Sequence, residues 1–558
     1  MSPETKKCQH CKKEFHIAPE EEDFFSTIDM PLPKMCPHCR YIRRLQWRNF
    51  RTLYERQSDL SGKPMISMYA PHNGFTVYSS QEWWSDAWDP CDFGQEYDSA
   101  RSFFEQYHEL NKRVPKEGLI QINCENSGYC NLTIKSKNCY LVFGCMENEN
   151  CYFGHIVWNS TDCVDCFYVI NCELCYWCND CVHGYHNFFS NDCNHCTDVY
   201  FCSDCFNCQN CFGCVGLKNK QYYWFNEPMT KEQFEKNMVA VFPLTDKKIN
   251  QYQKQQFALR LKTIFPPYHG KQNENVSGDH VDNCKNCEQC FDIKKSENTK
   301  YCATVTEKIN CYDINFSPTP GEHSYNNLAP LNFHNVFCSH MLNNCHDMWY
   351  CDACYSSSEC LGCTGLRNKK YCIFNKQYEK EKYKQVKAEI IKNMKLTGEW
   401  GEFWPEQYSP FCYNESVAQD YHPLSKEEAK IKGYRFKETD RKEYKKATYE
   451  ILADSAEIPN TILEELLACG KCGKNYKIIP QELAFYKKHQ LPAPRFCPNC
   501  RQNMRMQLRN ARELKKRQCS CQNSEHGHSG QCSAEFATAH HLQLENVYCW
   551  ECYQKEVA

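Results

Sequence analysis

The 558-residue chain lacks any uncharged apolar run long enough to cross a bilayer, which argues against a helical membrane protein. Its first residues, MSPETKKCQHCKK, contain neither the apolar stretch nor the small-residue cleavage site of a secretory signal, so a cytoplasmic location is expected. Charge of one sign is not in excess: 66 basic residues face 69 acidic ones. That balance excludes a globally basic nucleic-acid binder and leaves a local basic patch open. Catalytic signatures are missing as well. There is no Gly-rich phosphate loop, no G-x-S-x-G elbow and no H-E-x-x-H helix, so neither an enzyme nor a small-molecule substrate is expected. Disorder is excluded by an aromatic content of 14%.

What the chain has in quantity is cysteine, 45 residues. Without a secretion signal, such thiols read as metal ligands or reduced thiols before disulfides. Cys8, Cys11, Cys36 and Cys39 are spaced C-x2-C-x24-C-x2-C, and Cys469, Cys472, Cys497 and Cys500 repeat that spacing 461 positions later. The same offset superposes Glu21 on Glu482, Phe24 on Phe485, Pro31 on Pro492, Pro33 on Pro494 and Arg40 on Arg501. Two C-x2-C knuckles present four thiolates to one ion and leave no position for water, so both sites are expected to hold structural zinc. A tetrathiolate iron centre is the alternative.

Cys8, Cys11, Phe15, Glu21, Phe24, Phe25, Cys36, Pro37, Cys39 and Arg40 resemble the pattern of a zinc-ribbon domain family; the second copy carries Tyr476 at the Phe15 position and otherwise fits. The resemblance covers about 45 residues at each end. The whole chain is similar to Cys-rich zinc-ribbon proteins of candidate-phyla bacteria, a likeness that implies no mechanism.

A basic stretch follows each second knuckle. Residues 40–56 hold six Arg against one Glu, and residues 501–517 hold five Arg and two Lys against one Glu. Arg40, Arg44, Arg48 and Arg51, like Arg501, Arg505, Arg509 and Arg512, fall at helical spacing on one face. Such a row beside a zinc knuckle suits phosphate contacts on nucleic acid; the alternative is a charged helix paired with the chain's own acids. A third cysteine group, Cys519, Cys521, Cys532, Cys549 and Cys552, stands near His526, His528, His540 and His541. Cys549 and Cys552 form a knuckle, and the spacing leaves open which other residues complete a third zinc site. Ser58 and Ser79 occupy the places of Cys519 and Cys549 in the first copy, so that site is expected to be lost there and replaced by packing around Trp83, Trp84 and Trp88.

Between residues 124 and 214 stand 18 cysteines separated only by multiples of three. The remaining positions of that register hold Ser, Thr, Val, Gly or Asn, never an aromatic or a charge. Neither the 3.6-residue period of a helix nor the two-residue period of a strand accounts for this. A tight coil with one small residue inward at every third position does, and the span resembles the narrow 12-residue β-helix of an insect antifreeze protein. Asn or Asp precedes 11 of the 18 cysteines, fitting turns that accept a left-handed backbone. Coils of 12 and of 18 residues both respect the grid. A polyproline-II bundle would need more glycine than the span has.

A second array runs from Cys284 to Cys311 and resumes from Cys345 to Cys363, with about 27 residues between them expected as an insertion. Both arrays end alike, GLKNKQYYWFN at 216–226 and GLRNKKYCIFN at 365–375, before charged, helix-like stretches at 230–264 and 376–396. These read as solenoid caps. The inward thiols are open to three readings: small filler, metal ligands, or disulfides.

The expected architecture is multi-domain and mainly β, two zinc ribbons flanking two narrow Cys-rich β-solenoids with helical caps. Its units are a ribbon with basic helix (1–57), an aromatic-rich degenerate zinc unit (58–122), the first solenoid (123–229), a helical linker (230–282), the second solenoid (283–375), a linker (376–465), a second ribbon with basic helix (466–518) and a Cys/His zinc unit (519–558). The expected role is a non-catalytic zinc protein that binds RNA or a ribonucleoprotein through its basic helices. The alternatives are a protein-interaction scaffold and a metal-handling or thiol-redox protein.

Overall fold

The computed structural model describes residues 4–438, 444–452 and 457–557. Parts of the expected 376–465 linker, at 439–443 and 453–456, lie outside the described residues.

From residue 121 to 224 the chain winds in coils of 12 residues, so the shorter of the two coil lengths holds. Parallel bridges join Glu125 to Lys137, Gly128 to Tyr140 and Tyr152 to Val164, each twelve positions on. The strands His155–Trp158, Phe167–Ile170 and Asn179–Val182 stack in parallel on one side. Each coil consists of three-residue steps: a bridging residue, a residue with positive φ, and an inward residue. The middle position explains the Asn/Asp excess, since Asn138, Asn150 and Asp162 all sit at φ 52°, where short polar side chains are tolerated best. Bulky residues are forced there too, Phe153 at φ 57° and Tyr168 at φ 56° among them. The ladders above and below hold them, as Tyr140 N donates to Cys151 O (3.1 Å) and Phe153 N to Tyr140 O (3.0 Å).

The inward side chains have a second task besides being small. At inward positions such as Cys172 and Gly184 the backbone N–H groups point into the core, away from the ladder bonds between coils. The core side chains satisfy them. Ser160 Oγ accepts the N–H of Cys172 (3.1 Å), Cys172 Sγ accepts the N–H of Gly184 (3.1 Å), and Cys178 Sγ–H donates to Asn187 O (3.0 Å). Thiol, hydroxyl and, at Asn148, amide side chains fit the bore and hydrogen-bond within it.

The second solenoid is one continuous parallel sheet that starts at Gly270, upstream of the expected boundary, and runs to Ile373 before an antiparallel closing strand. The expected insertion is absent. The strands Gly321–Leu328 and Leu331–Phe337 are two further coils, reached by a single 13-residue step from Lys308 to Gly321. One extra residue shifts the cysteine register. Ser324, Phe333, Val336 and Leu342 occupy the inward places there and are buried, which hid the coils. Each solenoid closes on an asparagine. Asn226 Oδ1 accepts Val215 N (2.9 Å), and Asn375 Oδ1 accepts Thr364 N (2.8 Å).

Helices cover the flanks. Asp246–Arg260 packs on the first solenoid, with Tyr252 edge-on to Phe212 at 4.8 Å. Lys380–Thr397 packs on the second, with Tyr383 against Tyr371 at 5.7 Å. The outward aromatics of the first solenoid also pack: Tyr176 meets Phe485 at 5.8 Å, and Phe167 lies 5.1 Å from the Arg509 guanidinium. His155 is fully buried against Phe50 (4.6 Å).

The terminal units are exchanged. The N-terminal unit sits on the second solenoid, where Lys116 Nζ reaches Asp352 (2.9 Å) and Thr364 (2.8 Å). The C-terminal unit sits on the first solenoid, packing Leu544 and Val547 against Val215 and Phe265.

Candidate metal centres

Each terminal unit begins with a short hairpin and two helices that bring the knuckles together. In the first, strands Glu4–Lys7 and Glu14–Ile17 pair, and Pro37 starts the helix Pro37–Leu45 just after Cys36. The ligand atoms of Cys8, Cys11, Cys36 and Cys39 lie within 4.8 Å of one another, as do those of Cys469, Cys472, Cys497 and Cys500. A tetrahedral ion with metal–sulfur bonds of ~2.3 Å needs S···S edges of about 3.8 Å. Cys11 and Cys36 are 3.8 Å apart, and Cys472 and Cys497 are 3.7 Å apart. Within each set one thiol is drawn toward the thiolate while a neighbour, Cys39 or Cys500, is raised. Cys8 Sγ accepts the N–H of Cys36 (3.3 Å), and Cys469 Sγ that of Cys497 (3.2 Å). The Cys39 thiol, aided by backbone N–H groups, brings Cys36 down to about 5. Burial raises Cys469, but backbone N–H groups outweigh it and hold it at about 6. Both sets therefore fit a closed four-thiolate ion.

The C-terminal group resolves into Cys519, Cys532, Cys549 and Cys552, again within 4.8 Å of one another. Cys549 N–H donates to Cys519 Sγ (3.1 Å), repeating the ribbon geometry. Cys521 is not in this set; it lies with His526, His528 and Cys552 in a second group, where the histidine ligands that spacing left open find a place. His540 turns elsewhere, its Nε2 3.0 Å from Pro266 O.

In the N-terminal unit the corresponding site holds no sulfur. Ser58 Oγ and Ser79 Oγ donate to Glu82 Oε2 at 2.5 and 2.8 Å, and Ser61 adds a third hydroxyl. Ser58, Ser61, Ser79 and Glu82 stand where Cys519, Cys532, Cys549 and Cys552 stand in the other copy. The hairpin hydrogen bonds agree, Ser58 N to Lys63 O (2.9 Å) and Cys519 N to Ala534 O (2.8 Å). Burial raises the Glu82 carboxyl, but the hydroxyl and backbone donors outweigh it and bring it down to about 2. A hydrogen-bonded carboxylate thus replaces the ion, in addition to the expected packing of Trp83 and Trp88 (5.6 Å).

The arginine rows do not lie where phosphate contact requires. The two helices end at Leu45 and Met506, so Arg48, Arg51, Arg509 and Arg512 lie beyond them. All eight side chains turn inward. Arg40 Nε and Arg44 Nη2 each donate to Asp313 at 2.9 Å. Arg501 and Arg505 both bond Asp165, the latter at 2.5 Å. Arg509 bridges Asp180 (2.6 Å) and Asp292 (2.5 Å), and Arg512 shares Asp292 (2.5 Å). Arg51 Nη2 meets Asp420 at 2.6 Å. Arg48 has no carboxylate; it lies 4.7 Å from the Phe50 ring centre and 5.5 Å from that of Phe316. Burial alone brings it down to about 9. Asp165 and Asp313 are equivalent positions of the two solenoids, so the two clamps are copies of one arrangement.

Between the solenoids runs a charge ladder. Asp180, Asp192 and Asp204 are stacked twelve residues apart on the first, all at positive φ. His280 Nε2 meets Asp192 (2.5 Å), and His269 bridges Asp279 (2.9 Å) and Asp204 (3.0 Å). Burial disfavours charged His269, but Asp279, Asp192 and Asp204 outweigh it and bring it up to about 10. Asp192, His269 and His280 also lie close enough to hold a metal. Because three of the four ring nitrogens already face a carboxylate at 2.5–3.0 Å, the group reads as ion pairs.

No disulfide joins any of the 45 cysteines. Among the described residues, no solenoid cysteine belongs to a metal-sized group, which favours the filler reading and adds to it the hydrogen bonds described above.

No family model matches the chain, and no curated protein matches it. Among solved structures, one described as a "putative acetyltransferase from Desulfovibrio desulfuricans G20" shares 9% identity over 42% of this chain with a TM-score of 0.10. The chain spans 64% of that structure's length. A likeness this slight carries no argument. Among the described residues, no helix is long and apolar enough to cross a membrane.

Proposed function

We propose that the chain is a metal-stapled, non-catalytic scaffold that presents the flat faces of two joined solenoids to protein partners. One observation carries the reading: the arginine rows are consumed within the molecule, six of them by Asp165, Asp180, Asp292 and Asp313, Arg51 by Asp420, with Arg48 buried against aromatic rings. The zinc ribbons then act as anchors that hold each arginine row in its solenoid socket. An RNA or ribonucleoprotein role resting on those eight arginines lacks free groups to touch phosphate. Surfaces left for a partner include exposed amide ladders, Asn126 to Asn138 (2.8 Å) on the first solenoid and Asn286 to Asn298 to Asn310 (3.1 Å each) on the second.

The test is a nucleic-acid titration of the intact protein by fluorescence anisotropy, with single- and double-stranded RNA at 50 and 200 mM salt. Binding weaker than about 10 μM and insensitive to salt is expected. Tight binding that falls by about 10³-fold or more across that salt range, the mark of six or more phosphate contacts, overturns the reading.

A further inference from the structure

The hairpin turn that contributes two ligands to the C-terminal site differs between the two copies in one respect. Two residues separate Ser58 from Ser61, whereas twelve separate Cys519 from Cys532. The added loop carries Cys521, His526 and His528 to the open side of Cys552. Cys521 Sγ lies 3.2 Å from His526 Nδ1, and His528 Nε2 lies 3.5 Å from Cys552 Sγ. All four ligand atoms fall within 4.8 Å of one another. For zinc with one sulfur bond of ~2.3 Å and one nitrogen bond of ~2.0–2.1 Å, a tetrahedral S···N edge is about 3.5 Å.

The imidazoles are also held for ligation. His528 Nδ1 lies 2.9 Å from Gly530 O, which takes its N–H and leaves Nε2 with the lone pair. His526 Nε2 faces the Glu556 carboxylate at 3.6 Å and the Asn523 side chain at 3.3 Å, leaving Nδ1 toward Cys521. A ligating histidine characteristically has its second nitrogen tied to a carboxylate or carbonyl. Lys555 Nζ fixes the loop backbone at His526 O (2.5 Å).

We propose that the C-terminal unit holds two zinc ions bridged by the thiolate of Cys552. One ion takes Cys519, Cys532, Cys549 and Cys552; the other takes Cys521, His526, His528 and the same Cys552. Seven side chains thus complete two four-coordinate sites. Charge favours the pair: four thiolates around one zinc leave two negative charges, whereas five thiolates around two zinc ions leave one. The second ion belongs to the inserted loop and has no counterpart in the N-terminal unit, where Ser58, Ser61, Ser79 and Glu82 replace the first.

The inference rests on the zinc reading of the terminal thiol groups, and metal counting separates the two. Elemental analysis of the full-length protein, purified without chelator, is expected to give four zinc per chain. The double substitution His526→Gln with His528→Gln should give three, with the circular dichroism spectrum retained because the four-thiolate site stays whole. Loaded with cadmium-113, the parent should show two resonances from this unit that are scalar-coupled to each other through Cys552, and the double variant one uncoupled resonance. A parent count of three or fewer, or two cadmium resonances without mutual coupling, overturns the bridged pair. A count at or near zero overturns the zinc reading of the ribbons as well.

Discussion

Asp165 and Asp313 each receive two guanidinium groups in a fully buried setting. Removing such a carboxylate strands two buried cations, which costs about 3–5 kcal/mol by the usual scale for a broken buried pair. Asp165→Ala and Asp313→Ala should each lower the denaturant midpoint by a corresponding amount and expose the adjoining ribbon to proteolysis. Arg48 predicts the opposite sign. Its Nε and Nη1 are buried without a hydrogen-bond partner, so Arg48→Met should be neutral or stabilising by about 1–3 kcal/mol, read as a thermal shift. The Glu82 cluster permits a constructive experiment. Ser58→Cys, Ser61→Cys, Ser79→Cys and Glu82→Cys together restore a four-thiolate set on a backbone that already has the right turn. That variant should bind one zinc per chain more than the parent; an unchanged count would show that the two frames are not equivalent.

The coil is the element in which sequence and structure agree most. The period-three grid and the asparagines ahead of the cysteines announced a narrow bore and left-handed corners, and both are present. Two things were hidden. The 13-residue step from Lys308 to Gly321 moves the register by one, and the coils beyond it carry Phe333, Val336 and Leu342 inward, so the cysteine signal vanishes where the geometry continues. The hydrogen-bonding task of the inward thiols was also invisible, because a small residue and a small donor look alike in sequence. They separate on substitution. Cys178→Ser should fold with little loss, whereas Cys178→Ala, equally small but without a donor, should destabilise by about 1 kcal/mol, as judged by hydrogen exchange of its neighbours. The inter-solenoid ladder adds a pH dependence. A histidine whose folded pKa is raised stabilises fully below its unfolded value of about 6.5. His269, brought up to about 10, should therefore stabilise at pH 6 and lose its contribution as the pH rises toward 10. Thermal midpoints of the parent and His269→Gln should converge across that interval; a constant gap would remove the charge from the argument.

For the whole molecule, the terminal four-cysteine clusters were legible from spacing alone, and the fate of the arginines beside them was not. Arg40 finds its partner 273 positions away and Arg501 its partner 336 positions away, distances at which no local pattern pairs charges. One signal was there to be read: Asp165 and Asp313 occupy equivalent coil positions, just as Arg40 and Arg501 are equivalent in the ribbons. The exchange of terminal units also orders events in time. At about 5–20 residues per second, the ribbon that emerges first waits roughly 15–55 s for Asp313 to be made, its arginines meanwhile without their partner. The first solenoid waits longer still, with Asp165 uncompensated until Arg501, 336 positions on, has been made. For that interval the nascent chain holds an arginine-rich head apart from an acidic coil, and the first solenoid's clamp closes only when Arg501 and Arg505 follow Asp165.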